Sequence, residues 1–166
     1  MHLVVTGCQG AEISNVAITA PEDSPNTDGH GISVGSLGQD KSYSAMEQIY
    51  VWNCTFWKTS NCARIKTWQG GSGNARGITF PDIILNEVEK AIVINKYYCN
   101  DDNNFENNTS AVKVSDVWFT DFQGSSSLEV AVEIFCSKTV ACTDIHLDNV
   151  QLMNVDTKKG LLDASC

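Results

Sequence analysis

Two basic residues separated by one position, Arg64 and Lys66, are the clearest candidates for binding chemistry in this chain. Apolar residues alternate with them, so a β-strand here would bury Ile65 and direct both cations outward on one face. His30 lies in a Gly-His-Gly turn leading into a neighbouring strand, with Asp28 just before it. We predict that the histidine and the cations lie on adjacent rungs, a few ångströms apart at a strand spacing of about 4.8 Å.

Each of these residues also has an ordinary structural interpretation. Basic residues at positions i and i+2 are often only a solvated strand face, and a histidine between glycines is often a turn residue. Asp28 could cap the turn in its Asn-Thr-Asp-Gly context. Spacing alone leaves both interpretations open.

The composition is that of an ordinary globular protein. The chain has 166 residues, 42% hydrophobic and 19% charged, which predicts a single domain over residues 1–166. A net charge of −9 argues against nucleic acid as a partner and disfavours acidic polysaccharides in general, so a polyanion would need a local basic patch. No apolar run is long enough to span a membrane, and residues 1–10 lack the features of a secretory signal.

The seven cysteines form no CxxC pair and have no nearby CxxH, so the usual zinc spacings are absent and no metal or cofactor is expected. Disulfides or buried thiols are the better interpretation. Three N-x-[ST] sequons, at Asn53, Asn107 and Asn108, fit an exported, glycosylated protein. Together these features favour an oxidising compartment.

Short apolar pairs recur along the chain in two series that advance in step. Successive pairs are 33, 29, 39 and 28 residues apart in the first series, and 31, 29, 40 and 30 apart in the second. The first series comprises Val16/Ile18, Ile49/Val51, Ile78/Phe80, Val117/Phe119 and Ile145/Leu147. The second comprises Ile32/Val34, Ala63/Ile65, Ile92/Ile94, Val132/Ile134 and Leu162/Ala164.

Period-two alternation inside a repeating block indicates strands stacked as coils along one axis. The pattern predicts an all-β parallel β-helix of about five coils, with residues 100–110 as an exposed insertion. An antiparallel sandwich also fits many short strands with polar turns. No segment has the pattern of an amphipathic helix of three turns.

Several short motifs resemble those of the plant polygalacturonases, glycoside hydrolase family 28. Residues 24–29 (Ser-Pro-Asn-Thr-Asp-Gly) are similar to the family's first motif, residues 29–38 to its histidine motif, and residues 64–67 (Arg-Ile-Lys-Thr) to its substrate-binding motif. Residues 70–73 and 97–99 extend the similarity. The resemblance implies a right-handed parallel β-helix, secreted to the cell wall, that hydrolyses the α-1,4-galacturonan of pectin with inversion.

The resemblance also implies roles for the candidate residues. Asp28 would be one of the carboxylates that activate water, and His30 would support the acid or position the sugar. Arg64 and Lys66 would bind substrate carboxylates, for which a bidentate guanidinium and a point-charge ammonium are suited. The family's cysteine-rich C-terminus, together with their closeness in sequence, predicts a disulfide between Cys136 and Cys142.

The chain departs from the family pattern in two places. The Gly-Asp-Asp-Cys motif, which carries the general acid and a second water-activating carboxylate, is absent between Asp28 and His30. The offset of 16 residues from Val16 to Ile32 predicts that the joined coil nevertheless has normal length. Met1 aligns inside the family pattern, so we expect an uncapped first coil and self-association through the open coil ends.

These departures lead to the expectation of a polygalacturonase-type chain that is weak or inactive. A catalytically dead pectin-binding module and a non-functional truncated product are the alternatives.

Overall fold

The fold is a parallel β-helix, described here from a computed structural model that covers residues 3–19, 30–98, 111–156 and 162–166. Sheet A contains, in spatial order, β1 (Leu3–Val5), β4 (His30–Leu37), β7 (Asn61–Trp68), β9 (Lys90–Tyr98), β11 (Val130–Phe135) and β13 (Asp163–Ser165). Sheet B contains β2 (Gln9–Ser14), β5 (Tyr43–Trp52), β8 (Ser72–Val88), β10 (Ala111–Ser126) and β12 (Thr143–Asn154), with β3 (Ala17–Thr19) paired to β6 (Cys54–Trp57) and β6 paired to β8.

The chain alternates between the two sheets, and each return adds a strand parallel to its predecessor. This gives five stacked strands in sheet B, in agreement with the predicted number of coils. The described residues contain one 3-10 turn (Gln39–Lys41) and no α-helix, and none of their helical segments could cross a membrane. Every recorded pairing is parallel, which excludes the antiparallel sandwich.

The core consists of apolar ladders that run along the axis of the helix. In sheet A, Ile32 lies opposite Ala63, Ala63 opposite Ile92, and Ile92 opposite Val132, as the second series predicts. All of these side chains are buried. Stacked aromatic rings fill the sheet-B side, where the centroids of Phe80 and Phe119 lie 5.4 Å apart at an interplanar angle of 9°. Side chains at equivalent positions of successive coils therefore pack on one another.

Each sheet-B rung bends at a polar residue with positive φ. Successive rungs have Asn15, Asn53, Asp82, Asp121 and Asn149 at this position, with φ between 52° and 58°. Asn and Asp tolerate this conformation better than other non-glycine residues. The bend also carries a side-chain ladder, in which Asn53 Nδ2 donates to Asn15 Oδ1 at 2.6 Å.

The predicted alignment of Val16/Ile18 with Ile49/Val51 is wrong, because Ala11 lies opposite Ile49. Ile13 lies opposite Val51, whereas Ile18 lies opposite Phe56, so Val16 and Ile18 belong after the bend. The bend at Asn15 separates two segments with the same alternation, and the pair before it begins with the small residue Ala11, so alternation alone does not distinguish the two segments. At the other end, Ala164 lies opposite Val132 where the series predicted Ile134.

This correction changes the length of the joined coil. Fourteen residues separate Ile18 from Ile32, whereas 7 separate the equivalent Phe56 from Ala63. The expectation of normal length was therefore wrong, because the connection is longer than its counterpart in the next coil. Most of that connection, including Asp28, lies outside the described residues, as does the predicted insertion at 100–110.

Candidate functional site

Arg64 and Lys66 lie on the outer face of sheet A. Their strand, β7, buries Ala63 and Ile65 and leaves both cations half-buried at the surface. Arg64 lies opposite Ser33 in one neighbouring strand, and Lys66 lies opposite Gly35. The period-two alternation of a strand is therefore sufficient to bring both cations onto one side.

Tyr98 joins the two cations into one site. The Nζ of Lys66 lies 3.5 Å from the centroid of the Tyr98 ring, and the Cζ of Arg64 lies 5.6 Å from it. Trp68 packs edge-on against the same ring, with centroids 5.3 Å apart. Because the face of an aromatic ring attracts cations, this arrangement holds the guanidinium and the ammonium close together despite their like charge. We call Arg64, Lys66 and Tyr98 the cation site.

A polar cleft of about 250 Å³ adjoins Arg64 on the same face. Its lining includes Glu89, Lys90 and Glu133. The ammonium of Lys90 lies 2.8 Å from a carboxylate oxygen of Glu133 in the next strand. The cleft therefore contains the carboxylates of Glu89 and Glu133 beside Arg64, and that of Glu133 forms an ion pair with Lys90.

His30 is not at the same level as the cations. Its backbone lies opposite Asn61, three residues before the Ser33–Arg64 pair. At about 3.3 Å per residue along a parallel strand, the Cα atoms of His30 and Arg64 are about 11 Å apart. The prediction that His30 and the cations lie on adjacent strands is correct, but the predicted separation of a few ångströms is wrong, because the strand register offsets His30 from Arg64 by three residues. Asp28 lies outside the described residues.

The glycine after His30 has a packing role. A Cβ at Gly31 would lie 2.6 Å from the carbonyl oxygen of Cys62 and 2.6 Å from the Phe56 ring. Such contacts require the neighbours to move, and one of them is backbone. This part of the Gly-His-Gly motif is thus required for close packing of two coils, whatever the histidine does.

Cys136 and Cys142 are joined as a disulfide, with their Cα atoms 5.7 Å apart. Tyr97 Oη donates to the carbonyl oxygen of Cys136 at 3.4 Å, which connects this loop to the strand that carries Tyr98. Among the described residues, Cys8, Cys54, Cys62 and Cys166 are free thiols. Burial raises the pKa of Cys62 to about 12, so this thiol is an inert core residue.

Of the three predicted glycosylation sites, the structure describes one. Asn53 is exposed at a sheet-B bend, where its side chain takes part in the ladder with Asn15. Asn107 and Asn108 lie outside the described residues. Among the described residues, no cluster of three or more His, Cys, Asp or Glu side chains could hold a metal ion.

Sequence reasoning gave no role to Tyr98, Lys90 or Glu133. Tyr98 lies 32 residues after Lys66, and only the repeat length connects the two positions. Counting one coil forward from Trp68 would have found it, since Trp68 and Tyr98 are register partners. Lys90 and Glu133 could have been found in the same way, by writing successive coils above one another.

Comparison with known proteins assigns this parallel β-helix with a basic outer face to a family of carbohydrate-active enzymes. The sequence model of Glycosyl hydrolases family 28 matches residues 28–164. The chain belongs to that family.

Polygalacturonase QRT2 of Arabidopsis thaliana is 35% identical over 100% of this chain and 47% of its own length. A polygalacturonase of Persea americana is 34% identical over 99% of this chain and 45% of its own. The chain thus spans about half the length of these curated relatives. The crystal structure of endo-xylogalacturonan hydrolase from Aspergillus tubingensis superposes with a TM-score of 0.83 over 99% of this chain and 42% of that one, at 24% identity, and supports the fold.

Proposed function

We propose that this chain is a polygalacturonase-type glycoside hydrolase domain that binds α-1,4-galacturonan through the cation site and hydrolyses it weakly or not at all. The observation that carries the proposal is the pairing of Arg64 and Lys66 over the Tyr98 ring. Membership of glycosyl hydrolases family 28 and the names of the relatives support the substrate class. Secretion to the cell wall follows from the same substrate.

The cation site suits a polymer with one carboxylate on each sugar. A planar guanidinium can form two parallel hydrogen bonds to one carboxylate, and an ammonium can neutralise another. The Cα atoms of Arg64 and Lys66 are two residues apart along β7, about 6.6 Å at 3.3 Å per residue. A net charge of −9 repels a polyanion overall, so binding depends on this local patch.

Inverting hydrolysis needs two kinds of carboxyl group. A protonated one must deliver a proton to the leaving oxygen, and an ionised one on the opposite side must activate water. In our proposal Asp28 is a water-activating carboxylate, and His30 supports the reaction or positions the sugar. The motif that would supply the general acid is absent from the sequence between them. A positioned general acid contributes about 10² to 10⁴ in rate, so we expect turnover to be lower by at least that factor.

The test is a reducing-sugar assay on purified, folded protein with polygalacturonate as substrate. A full-length relative, such as the Persea americana polygalacturonase, is assayed alongside as the reference. We expect a rate at least about 10²-fold below the reference. Robust turnover that is abolished by Asp28→Asn would contradict the proposal, since it would mean that the acid is supplied from elsewhere in the chain.

A titration with hexagalacturonate separates the remaining alternatives. Salt-sensitive binding without turnover identifies an oligogalacturonate-binding module, which is the second candidate and is favoured by the intact cation site. A folded chain with neither binding nor turnover would leave only the non-functional truncated product.

A further inference from the structure

The polar cleft beside Arg64 extends from the cation site towards the later coils. Arg64 lies opposite Val93, and Val93 lies opposite Glu133, so the strands of Arg64 and Glu133 are two spacings apart, or about 9.6 Å. Val93 lines the cleft between them and is only 3% exposed. The cleft is therefore a recess of about 250 Å³ with a short apolar residue beneath it and a charged residue on either side.

The lysine of the polar cleft is already paired. The ammonium of Lys90 lies 2.8 Å from a carboxylate oxygen of Glu133, and their side chains are 29% and 17% exposed. Glu89 adds a second carboxylate to the lining, and this residue is exposed. Apart from Arg64, which the cation site shares, the described residues that line the cleft include one cation and two carboxylates. A ligand group here meets an excess of negative charge once Arg64 binds a carboxylate at the cation site.

A free carboxylate is a poor ligand for this cleft. To reach the Lys90 ammonium it would have to displace Glu133, whose carboxylate would then be left mostly buried without its partner. Without that displacement it would face the carboxylates of Glu133 and Glu89 at close range, which is repulsive. In both cases the negative charge of the ligand lowers its affinity.

An uncharged carbonyl group has suitable partners in the same cleft. An ammonium has three N–H donors, so Lys90 can donate to Glu133 and to a ligand at once. Asn95 accepts a hydrogen bond from the N–H of Tyr97 through Oδ1 at 2.8 Å, which leaves the NH2 group of its side chain as a donor. Val93 provides a small apolar contact for a methyl group.

We propose that the polar cleft receives a galacturonate unit whose C6 carboxyl group is methyl-esterified, next to unesterified units held at the cation site. Esterification removes the charge of one unit and leaves the ring and its linkages unaltered. Glu133 is then the specificity-determining residue, because it occupies the ammonium that a free carboxylate would need. The inference rests on the proposed function and narrows it, since the substrate is a partly esterified galacturonan that is selected by repulsion at one position.

The test is a calorimetric titration of the folded chain with trigalacturonate and with its three monomethyl esters, which carry the ester on the first, second or third unit. We expect one monoester to bind at least about fivefold more tightly than trigalacturonate, because it avoids the repulsion between close charges. The same comparison is then made in Glu133→Gln, which keeps the size of the side chain but frees Lys90. In that variant trigalacturonate should bind at least as tightly as the monoester. Adding Lys90→Met should abolish this gain.

Glu47→Gln is the matched control. Glu47 is also paired with a cation, Arg76, at 2.9 Å, and its side chain is 21% exposed, but it lies on sheet B. The variant removes the same charge from the chain and should leave the preference for the monoester unchanged.

The possible outcomes separate this inference from the proposed function. If trigalacturonate binds in a salt-sensitive manner and no monoester binds more tightly, only the inference is overturned. It is also overturned if Glu133→Gln keeps the preference of the unaltered chain, or if Glu47→Gln loses it. If neither trigalacturonate nor any monoester binds, the cation site itself is refuted and the inference falls with it. The comparison in the unaltered chain is decisive even if a variant fails to fold.

Discussion

The outer faces of sheet A and sheet B are built on the same coils yet present different side chains to solvent. At the cation site, Lys66 and Arg64 stack on Tyr98. On sheet B, the Trp118 ring stacks on that of His146, and its Nε1 donates a hydrogen bond to Asp116. Both faces carry an aromatic ring on the outward side of a strand, and the buried ladders beneath them are equally apolar. The inward residues therefore specify the β-helix, whereas the outward residues give each face its own chemistry.

The difference also limits what net charge can predict. A value of −9 describes the chain as a whole but not the cation site, where two cations occupy one strand. Screening confines such fields to within about 10 Å at ordinary salt, so separate faces act independently. Predictions about ligands must therefore be made one face at a time.

The largest effect is expected at the cation site. Replacing both Arg64 and Lys66 by alanine should lower the affinity for hexagalacturonate at least about 100-fold and remove its dependence on salt. The measurement is a calorimetric titration at two salt concentrations. Arg76→Ala is the control, since it removes a sheet-B cation and should leave this binding unchanged. Equal affinities in the double variant and the unaltered chain would move the polyuronide site elsewhere.

The next effect concerns the loop that contacts the strand carrying Tyr98. Replacing Cys136 and Cys142 by serine should lower the free energy of unfolding by about 2 to 3 kcal/mol, because a short closed loop constrains the unfolded chain only moderately. Urea unfolding measures the change, with Cys166→Ser as a control for loss of an exposed thiol. Non-reducing peptide mapping decides the pairing itself, and recovery of both cysteines as alkylated thiols would be the contrary result.

A third prediction concerns the coil ends, which neither face includes. Among the described residues, β12 pairs only with β10, and the apolar Leu147 on β12 is 42% exposed. An open strand edge of this kind favours association, so light scattering should detect oligomers whose share rises with concentration. Leu147→Lys should reduce them without altering hexagalacturonate binding at the cation site. A strict monomer at all concentrations would contradict the expected self-association.

Much of the fold could be predicted because the alternation of buried residues carries the relevant physics. The predicted alignment of Ile32, Ala63, Ile92 and Val132 is confirmed, since each residue is apolar and flanked by outward residues. The register of Val16 could not be predicted, because alternation is identical on both sides of the bend at Asn15. Only the pairing of Ile18 with Phe56 distinguishes the two choices.

The candidate site was predictable only in part. Alternation within one strand placed Arg64 and Lys66 together, but the offset of His30 depends on how two strands pair. Tyr98 belongs to a different coil from the cations, so a motif read along the chain does not include it. Contacts between coils are set by register, and register is weakly encoded at positions where several apolar pairs fit equally well.

The smallest expected effect is on the pH dependence of the free energy of unfolding, and it comes from Lys96. The alternation of β9 directs this side chain inward, next to the strand that carries the cation site. Its side chain is 0% exposed, and its Nζ donates to the carbonyl oxygen of Val140 in the disulfide loop. Burial lowers the pKa of Lys96 to about 8, against about 10.4 for an unfolded lysine. Between these values the unfolded chain binds more protons than the native one, so the contribution of Lys96 to stability rises with pH.

We therefore expect the free energy of unfolding to rise by about 2 kcal/mol between pH 8 and pH 10, and to be nearly flat below about pH 7 as far as Lys96 is concerned. In Lys96→Met this rise should be missing, whereas the exposed Lys113→Met should retain it. Urea unfolding of the three proteins at matched pH values isolates the effect, because all other titrating groups are common to them. If Lys96→Met followed the same pH profile as Lys113→Met, the ammonium of Lys96 would be solvated, and the loop would not be packed over it.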